Sequence, residues 1–414
     1  MKHLTVCTAT LLACTSTFAL SPKKIAACKQ KAWAEYAEQL HKDATLQLPT
    51  LHPLNDEAHT WALPMGDGTQ CTMPFYYGTK GNRPEAGYPL FLYIHGSGPK
   101  EHEWSTGLRL AQAWQDSPSI YFVPQIPDEG RYRWYQQEKQ TAWEALFLRA
   151  LASPDIDPER LYLLGISEGG YGSQRLASFY ADYLAAAGPM AGGEPLRNAP
   201  VENLQHIAFS LRTGDKDKGF YRDLLTGYTR DALDSMTQAY PGQYTHWVTH
   251  VEGYGHSIPY GPTAEWLKQH KRQARPTSFI WEQYPMDGRY RYSWYNLVVP
   301  DQLDASKDER RRYEVSIKDN VVDIKVSEVH YEVTELDPHW GIQLKCKRDY
   351  TPVTPEHLAV YLDDTMVDTQ RPVTLRINGE TRHKGKLRPS TKAIHQSITL
   401  WGDPLRIYEY CIEV

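Results

Sequence analysis

The chain is poor in cysteine, with 6 among 414 residues, and poor in phenylalanine, with 9. Sparse cysteine, with no CxxC pair and no His/Cys cluster at ligand spacing, excludes a disulfide-stapled mini-domain and marks no metal site. Neither sign of charge dominates: 45 Lys and Arg stand against 50 Asp and Glu, a net charge of -5. That balance leaves no electrostatic footprint for nucleic acid. Internal repeats, low-complexity tracts and any apolar run long enough to span a bilayer are also missing. A chain of this length has room for two domains and can bury large cores without staples. What it has in quantity is Trp (12) and Tyr (28). Both pair a flat apolar face with a polar tip, which suits a wet, sugar-binding surface as well as a core.

The first residues, "MKHLTVCTATLLACTSTFALSPKK", have the order of an export signal. Lys2 supplies a positive start, residues 4 to 14 a modest apolar stretch, and Thr17-Phe18-Ala19 a small-residue cleavage site. Residues 1–20 are therefore expected to be a signal peptide. The mature protein is then periplasmic or extracellular, and "LLAC" at Cys14 offers lipoprotein anchoring as an alternative end to the same signal. Four cysteines remain: Cys28, Cys71, Cys346 and Cys411. An even set in an exported chain predicts two disulfides. Three pairings are possible, and Cys28–Cys71 with Cys346–Cys411 keeps each bridge within one domain.

From residue 22 to about 273, strand-like and helix-like stretches alternate. "CTMPFYYG", "YPLFLYIHGSG", "SIYFVPQ", "ERLYLLG" and "HIAFSLRTG" read as strands. "LRLAQAW", "KQTAWEALFLRALAS", "GSQRLASFYADYLAA" and "TAEWLKQHKRQ" read as helices. Residues 22 to 45 add an amphipathic helix at the start. Such alternation predicts an α/β domain over 21–275 with a mostly parallel sheet covered on both faces. Past Arg275-Pro276 the period becomes two and long helical patterns cease. Asn378-Gly379 marks a type I′ hairpin. Residues 276–414 are predicted to form an all-β, sandwich-like domain.

Chemistry concentrates in four places. "LYLLGISEGGYGS" ends an apolar strand with G-x-S-x-G and continues into small, helix-compatible residues. That is the context of a nucleophile elbow, where Ser167 stands out above the sheet because Gly165 and Gly169 leave room for the bend. A serine hydroxyl needs a base. His256, in the Gly-rich loop "EGYGHSIPYG", is the candidate, because His246 and His250 lie in a strand-like run. The base needs an acid to fix its tautomer. "FSLRTGDKDKGF" offers Asp215 and Asp217, and Asp217, three residues past Gly214, is preferred. The oxyanion needs two backbone N–H groups. Glu168 supplies one, and the "HGSG" turn at 95–98 supplies the other through Ser97 or Gly96, of which Ser97 is preferred.

The order Ser167, Asp217, His256, with the HG turn upstream, resembles the α/β-hydrolase superfamily over residues 60 to 272. "DPERLYLLGISEGGYGS" is similar to secreted bacterial carboxylesterases that act on plant polysaccharides, among them acetyl-xylan, feruloyl and pectin esterases. The resemblance implies ester hydrolysis by an acyl-enzyme, without a cofactor. The acidic Glu168 beside the nucleophile departs from a neutral elbow. The resemblance also implies that two more loops, "GPKEHEWSTG" and "PDEGRYRWYQ", flank the site. Their Trp104, Arg131, Arg133 and Trp134 are candidates for holding a sugar acid, with rings on Trp and carboxylates on Arg. The expected substrate is methyl-esterified pectin. Acetyl-xylan and feruloyl esters are the first alternatives, and a serine peptidase or a non-catalytic carbohydrate-binding protein the more distant ones.

Overall fold

The computed structural model describes residues 21–414, so the export signal and the Cys14 reading lie outside the described residues. Eight strands form the first sheet: β1 (Ala58–Pro64), β2 (Gln70–Lys80), β3 (Tyr88–Ile94), β4 (Ser119–Pro124), β5 (Ile156–Ile166), β6 (Ala186–Met190), β7 (Ala208–Gly214) and β8 (His246–Val251). Their order across the sheet is β1-β2-β4-β3-β5-β6-β7-β8. The first two run antiparallel to their neighbours. From β4 to β8 every pairing is parallel. β3, β4, β6 and β7 are buried along their whole length, as strands covered on both faces must be.

The helices are α1 (Pro22–Lys42), α2 (Lys100–Ala113), α3 (Gln137–Ala152), α4 (Glu168–Tyr180), α5 (Arg222–Ala239), α6 (Gly261–Leu267) and α7 (Thr391–Trp401). α6 is shorter than the sequence suggested, and α5, polar and interrupted by Gly227, escaped the pattern reading altogether. None of the described helices is long and apolar enough to cross a membrane.

The remaining strands are β9 (Ser278–Gln283), β10 (Ser293–Trp294), β11 (Leu297–Val298), β12 (Arg311–Lys318), β13 (Val321–Leu336), β14 (Gln343–Pro352), β15 (Ala359–Leu362), β16 (Val373–Ile377), β17 (Glu380–Gly385) and β18 (Tyr410–Glu413). β17, β16, β13, β12 and β9 line up in one sheet, and β14 pairs with the far half of β13. β10, β11, β15 and β18 form a second sheet. Trp281 of β9 stacks on Trp294 of β10 with centroids 5.6 Å apart, which joins the two inner faces. Asn378 and Gly379 both have positive φ (48° and 83°), as a type I′ turn between β16 and β17 requires. The all-β expectation fails at α7, which packs on α1 from the other end of the chain through Ile394, Ile398, Ile25 and Trp33.

The disulfide expectation is also corrected. Cys28, Cys71, Cys346 and Cys411 are all free thiols. They sit on α1, β2, β14 and β18, separate elements whose packing does not bring a predicted pair together. Burial raises each thiol above its ordinary value, as expected of partly buried cysteines that act as small apolar residues.

Candidate active site

β5 delivers Ser167 at the carboxyl edge of the sheet, and α4 begins with the next residue. Ser167 has φ 58° and ψ -113°, a conformation costly for a residue with a side chain. The elbow glycines explain how the bend fits. A Cβ on Gly165 would lie 2.3 Å from the Gly169 carbonyl oxygen, and one on Gly169 would lie 2.0 Å from that of Ile94. Strand, turn and helix touch backbone to backbone here, so nothing larger than hydrogen is accommodated.

Ser167 Oγ lies 2.9 Å from His256 Nε2, and His256 Nδ1 lies 2.8 Å from Asp217 Oδ2. The acid loop follows β7 and the histidine loop follows β8. The two close on each other because Gly214 lets the Tyr254 and Gly255 carbonyls approach; a Cβ there would meet them at 2.3 and 2.1 Å. Lys216 N–H donates to the Tyr254 carbonyl (2.9 Å) and fixes the contact. Asp217, not Asp215, faces the imidazole. His246 instead meets Asp234, and His250 meets the Asp223 carbonyl.

Arg222, which the sequence reading did not single out, grips Asp217 with both arms of its guanidinium, at 2.9 and 2.6 Å. It also donates to the Tyr171 hydroxyl (3.3 Å). Burial alone would raise the Asp217 carboxyl. Hydrogen bonds from Arg222 and then His256 outweigh it, so Asp217 is held below the usual carboxylate range. The only signal in the sequence was an arginine one turn beyond the acid, at the start of α5.

The turn at 95–98 is anchored from below. His95 is fully buried, and its Nε2 accepts from the Ile126 N–H at 3.0 Å. That leaves Nδ1 to donate to the Gly96 carbonyl at 2.7 Å. Burial pushes the imidazole down to about 4, so it stays neutral and keeps this tautomer at ordinary pH. Trp134 donates its indole N–H to the His95 carbonyl (2.9 Å), and Tyr132 donates to the Gly96 carbonyl (2.9 Å). Ser97 is exposed beside Ser167 on the rim of a cavity of about 560 Å³.

Of the four proposed substrate contacts, only Arg133 lines this cavity. Trp134 is corrected to a core residue, with no exposed surface. Trp104 is not on a loop: α2 starts at Lys100, and the indole stacks on Tyr76 (4.0 Å) and donates to the Val123 carbonyl. Arg131 is tied to Glu138 and Asp287 at 3.1 and 3.2 Å, which turns it away from the cavity. In each case a partner within the fold takes the group that was expected to face substrate.

Arg133 donates to the Glu168 carboxylate. Burial pushes Glu168 up to about 7 against the opposing pull of Arg133. The acidic residue of the elbow therefore titrates in the neutral range while its backbone N–H stays at the nucleophile. Arg175 clasps Glu194 at 2.7 and 2.9 Å on the facing wall. Among the described residues one group has metal-ligand geometry: His52, Glu57 and His59, none of which lines the cavity.

No protein-family model matches the chain. Over 153 residues the chain is 28% identical to NocK of Nocardia uniformis subsp. tsuyamanensis, named as a candidate esterase; the match covers 32% of this chain and 40% of that protein. A thermostable esterase is similar in structure with a TM-score of 0.42 at 21% identity, covering 52% of this chain and 64% of that one. A ferulic acid esterase gives 0.34 at 15% identity, covering 51% and 94%.

Proposed function

We propose that the protein, an α/β-hydrolase by the order of its sheet, is an exported serine carboxylesterase that removes ester groups from plant polysaccharide. The observation that carries this is the relay Ser167–His256–Asp217 at 2.9 and 2.8 Å on a strained elbow. Ser167 Oγ attacks the ester carbonyl while His256 Nε2 takes its proton. The tetrahedral oxyanion is held by the Ser97 and Glu168 N–H groups. Collapse expels the alcohol, protonated by His256, and leaves an acyl-serine. Water, deprotonated by His256, attacks the acyl carbonyl, and the acid departs as Ser167 recovers its proton. Asp217 keeps Nδ1–H in place and balances the imidazolium, while Arg222 keeps Asp217 in place.

Methyl-esterified pectin is the substrate to test first, now on Arg133 alone. This guanidinium is half exposed at the cavity, where it donates to the Glu168 carboxyl. The experiment is product release from methyl-esterified pectin, acetylated xylan, feruloylated arabinoxylan and a peptide amide, beside fluorophosphonate labelling. Methanol from pectin is expected, with labelling abolished in Ser167→Ala and release lowered by a factor on the order of 10⁶, the scale seen when a triad nucleophile is removed. Acetate or ferulate in place of methanol would retain the esterase and remove the uronate. Labelling without any ester product, with the amide cleaved, would replace esterase by peptidase.

A further inference from the structure

The cavity above Ser167 has a wall from far along the chain. The turn between β13 and β14 contributes Trp340, Gly341 and Ile342 to its lining, and the start of β14 adds Gln343. Trp340 is 56% exposed and Phe220 44% exposed. Their rings meet edge to face with centroids 4.7 Å apart. Large apolar rings in water beside a nucleophile ask for an occupant.

The backbone beneath both rings is fastened. Phe220 and Tyr221 each have positive φ (52° and 59°), a strained pair directly after the Asp217 loop that aims Phe220 outward. The Tyr221 hydroxyl donates to Asp337 Oδ1 at 3.0 Å. The Trp340 N–H donates to Asp337 Oδ2 at 2.6 Å. One aspartate thus fastens the turn of the C-terminal unit to the acid loop of the catalytic unit. On the other side, Arg197 holds Gln343 at 2.8 Å. Beneath, the Arg222 guanidinium lies 5.5 Å from the Phe220 ring centroid, so the aromatic corner adjoins the group that grips Asp217.

Resting on the esterase reading, we propose that Phe220 and Trp340 form a ring-binding subsite for the part of the substrate next to the ester. Its ligand is a six-membered ring with a flat apolar face, either a pyranose or a phenolic acyl ring. The ring packs against Trp340 while the carbonyl lies at Ser167. The C-terminal unit then acts as a specificity element of the site. A pre-fixed aromatic corner costs little conformational entropy when a ring binds.

The test compares esters with and without a ring by pH-stat: acetylated xylo-oligosaccharide, methyl-esterified oligogalacturonide and methyl ferulate against ethyl acetate. The readout is the ratio of kcat/KM for ring-bearing over ring-free ester in wild type, Trp340→Ala, Phe220→Ala and Trp340→Tyr. The ratio is expected to fall at least tenfold in both alanine variants, through KM, and to recover in Trp340→Tyr. Loss for the oligosaccharides identifies a pyranose, and loss for methyl ferulate a phenolic ring. An unchanged ratio for all three, with ethyl acetate still hydrolysed by wild type, overturns the subsite and leaves the esterase standing. Calorimetric titration of Ser167→Ala with the same ring-bearing compounds separates the opposite case. Binding that is lost on adding Trp340→Ala, with no ester hydrolysed by wild type, keeps the subsite and removes the esterase. Neither binding nor hydrolysis overturns both.

Discussion

At the residue scale, Glu168 does two jobs through two different atoms. Its N–H is the oxyanion donor proposed above, and its side chain is a buried acid pushed up to about 7. An acid raised in the folded state binds more protons than it does in the unfolded chain between its ordinary value and about 7. Stability contributed by this group is therefore complete below about pH 4.5 and falls as pH climbs to 7. The loss is on the order of 3 kcal/mol. Glu168→Gln is expected to flatten the stability–pH curve between pH 5 and 8 and to leave the protein more stable than wild type at pH 8. Urea denaturation at a series of pH values checks it, and an unaltered slope would place the titration elsewhere. Arg222 gives the complementary case. It acts through Asp217, so Arg222→Ala should lower kcat by ten- to a hundredfold with a smaller change in KM, and Arg222→Lys should recover part of it. Because Asp217 is held below its ordinary value, the stability it contributes is present above about pH 4 and lost as pH falls further. Acid unfolding of Arg222→Ala should begin at higher pH than in wild type. Steady-state kinetics and an acid titration followed by circular dichroism read both effects.

At the scale of elements, the elbow shows what a sequence pattern can and cannot carry. The glycine spacing around Ser167 pointed to the turn because the packing of β5, α4 and β3 forbids any side chain at two of its positions. The same packing makes a prediction. Gly169→Ala puts a methyl group 2.0 Å from the Ile94 carbonyl oxygen, and backbone cannot step aside. No soluble, folded protein is expected. Gly66→Ala, where nothing lies within 4 Å, should leave the melting temperature within about 2 °C; a thermal melt of both decides. The alternation that revealed β3, β4, β5 and β7 worked because buried parallel strands are continuous apolar runs. α7 was missed although its ends were written in the sequence: Ser390 caps the first turn by accepting from Ala393 N–H, and Gly402 closes the last with φ 53°. Its eleven residues lie among strands, and the period-two texture around them masked the caps. The loops misled more than the elements. A Trp or Arg on a loop reads as a substrate contact until its partner is known, and Trp134 and Arg131 both had partners, His95 and Glu138, in the same unit. The corner built by Phe220 and Trp340 was invisible for the opposite reason: 120 residues separate its two rings, and no local period records that contact.

At the scale of the whole molecule, the change of texture near residue 275 coincides with the passage from the first sheet into β9, yet the two parts are bound by buried charge. Arg406 has no exposed surface. It donates to Asp182 of the catalytic part at 2.6 Å and to Asp403 at 2.6 Å. Arg291 also grips Asp182 (2.9 Å), and Arg272 of the catalytic part reaches Asp403 (2.5 Å). Burial raises both aspartates, but the arginines outweigh it and hold them below the usual range. Such a network adds little net stability compared with apolar residues, but breaking one member leaves buried charge short of its partner, at a cost of about 3–5 kcal/mol. The Tyr183 hydroxyl donates to the Trp401 carbonyl across the same seam (3.0 Å), and α1, from the start of the chain, packs on α7. The catalytic unit therefore lacks a complete surface without residues 276–414. A chain ending at residue 275 would expose the α1 face and strip Asp182 and Arg272 of their charged partners. It is expected to aggregate on expression, and Arg406→Met in the full chain to lose several kcal/mol. Calorimetry of the full chain should show one cooperative transition, lowered as a whole by Arg406→Met. Two transitions, only one of them moved by that substitution, would mean that the catalytic unit folds by itself and that the seam only docks the second unit onto it.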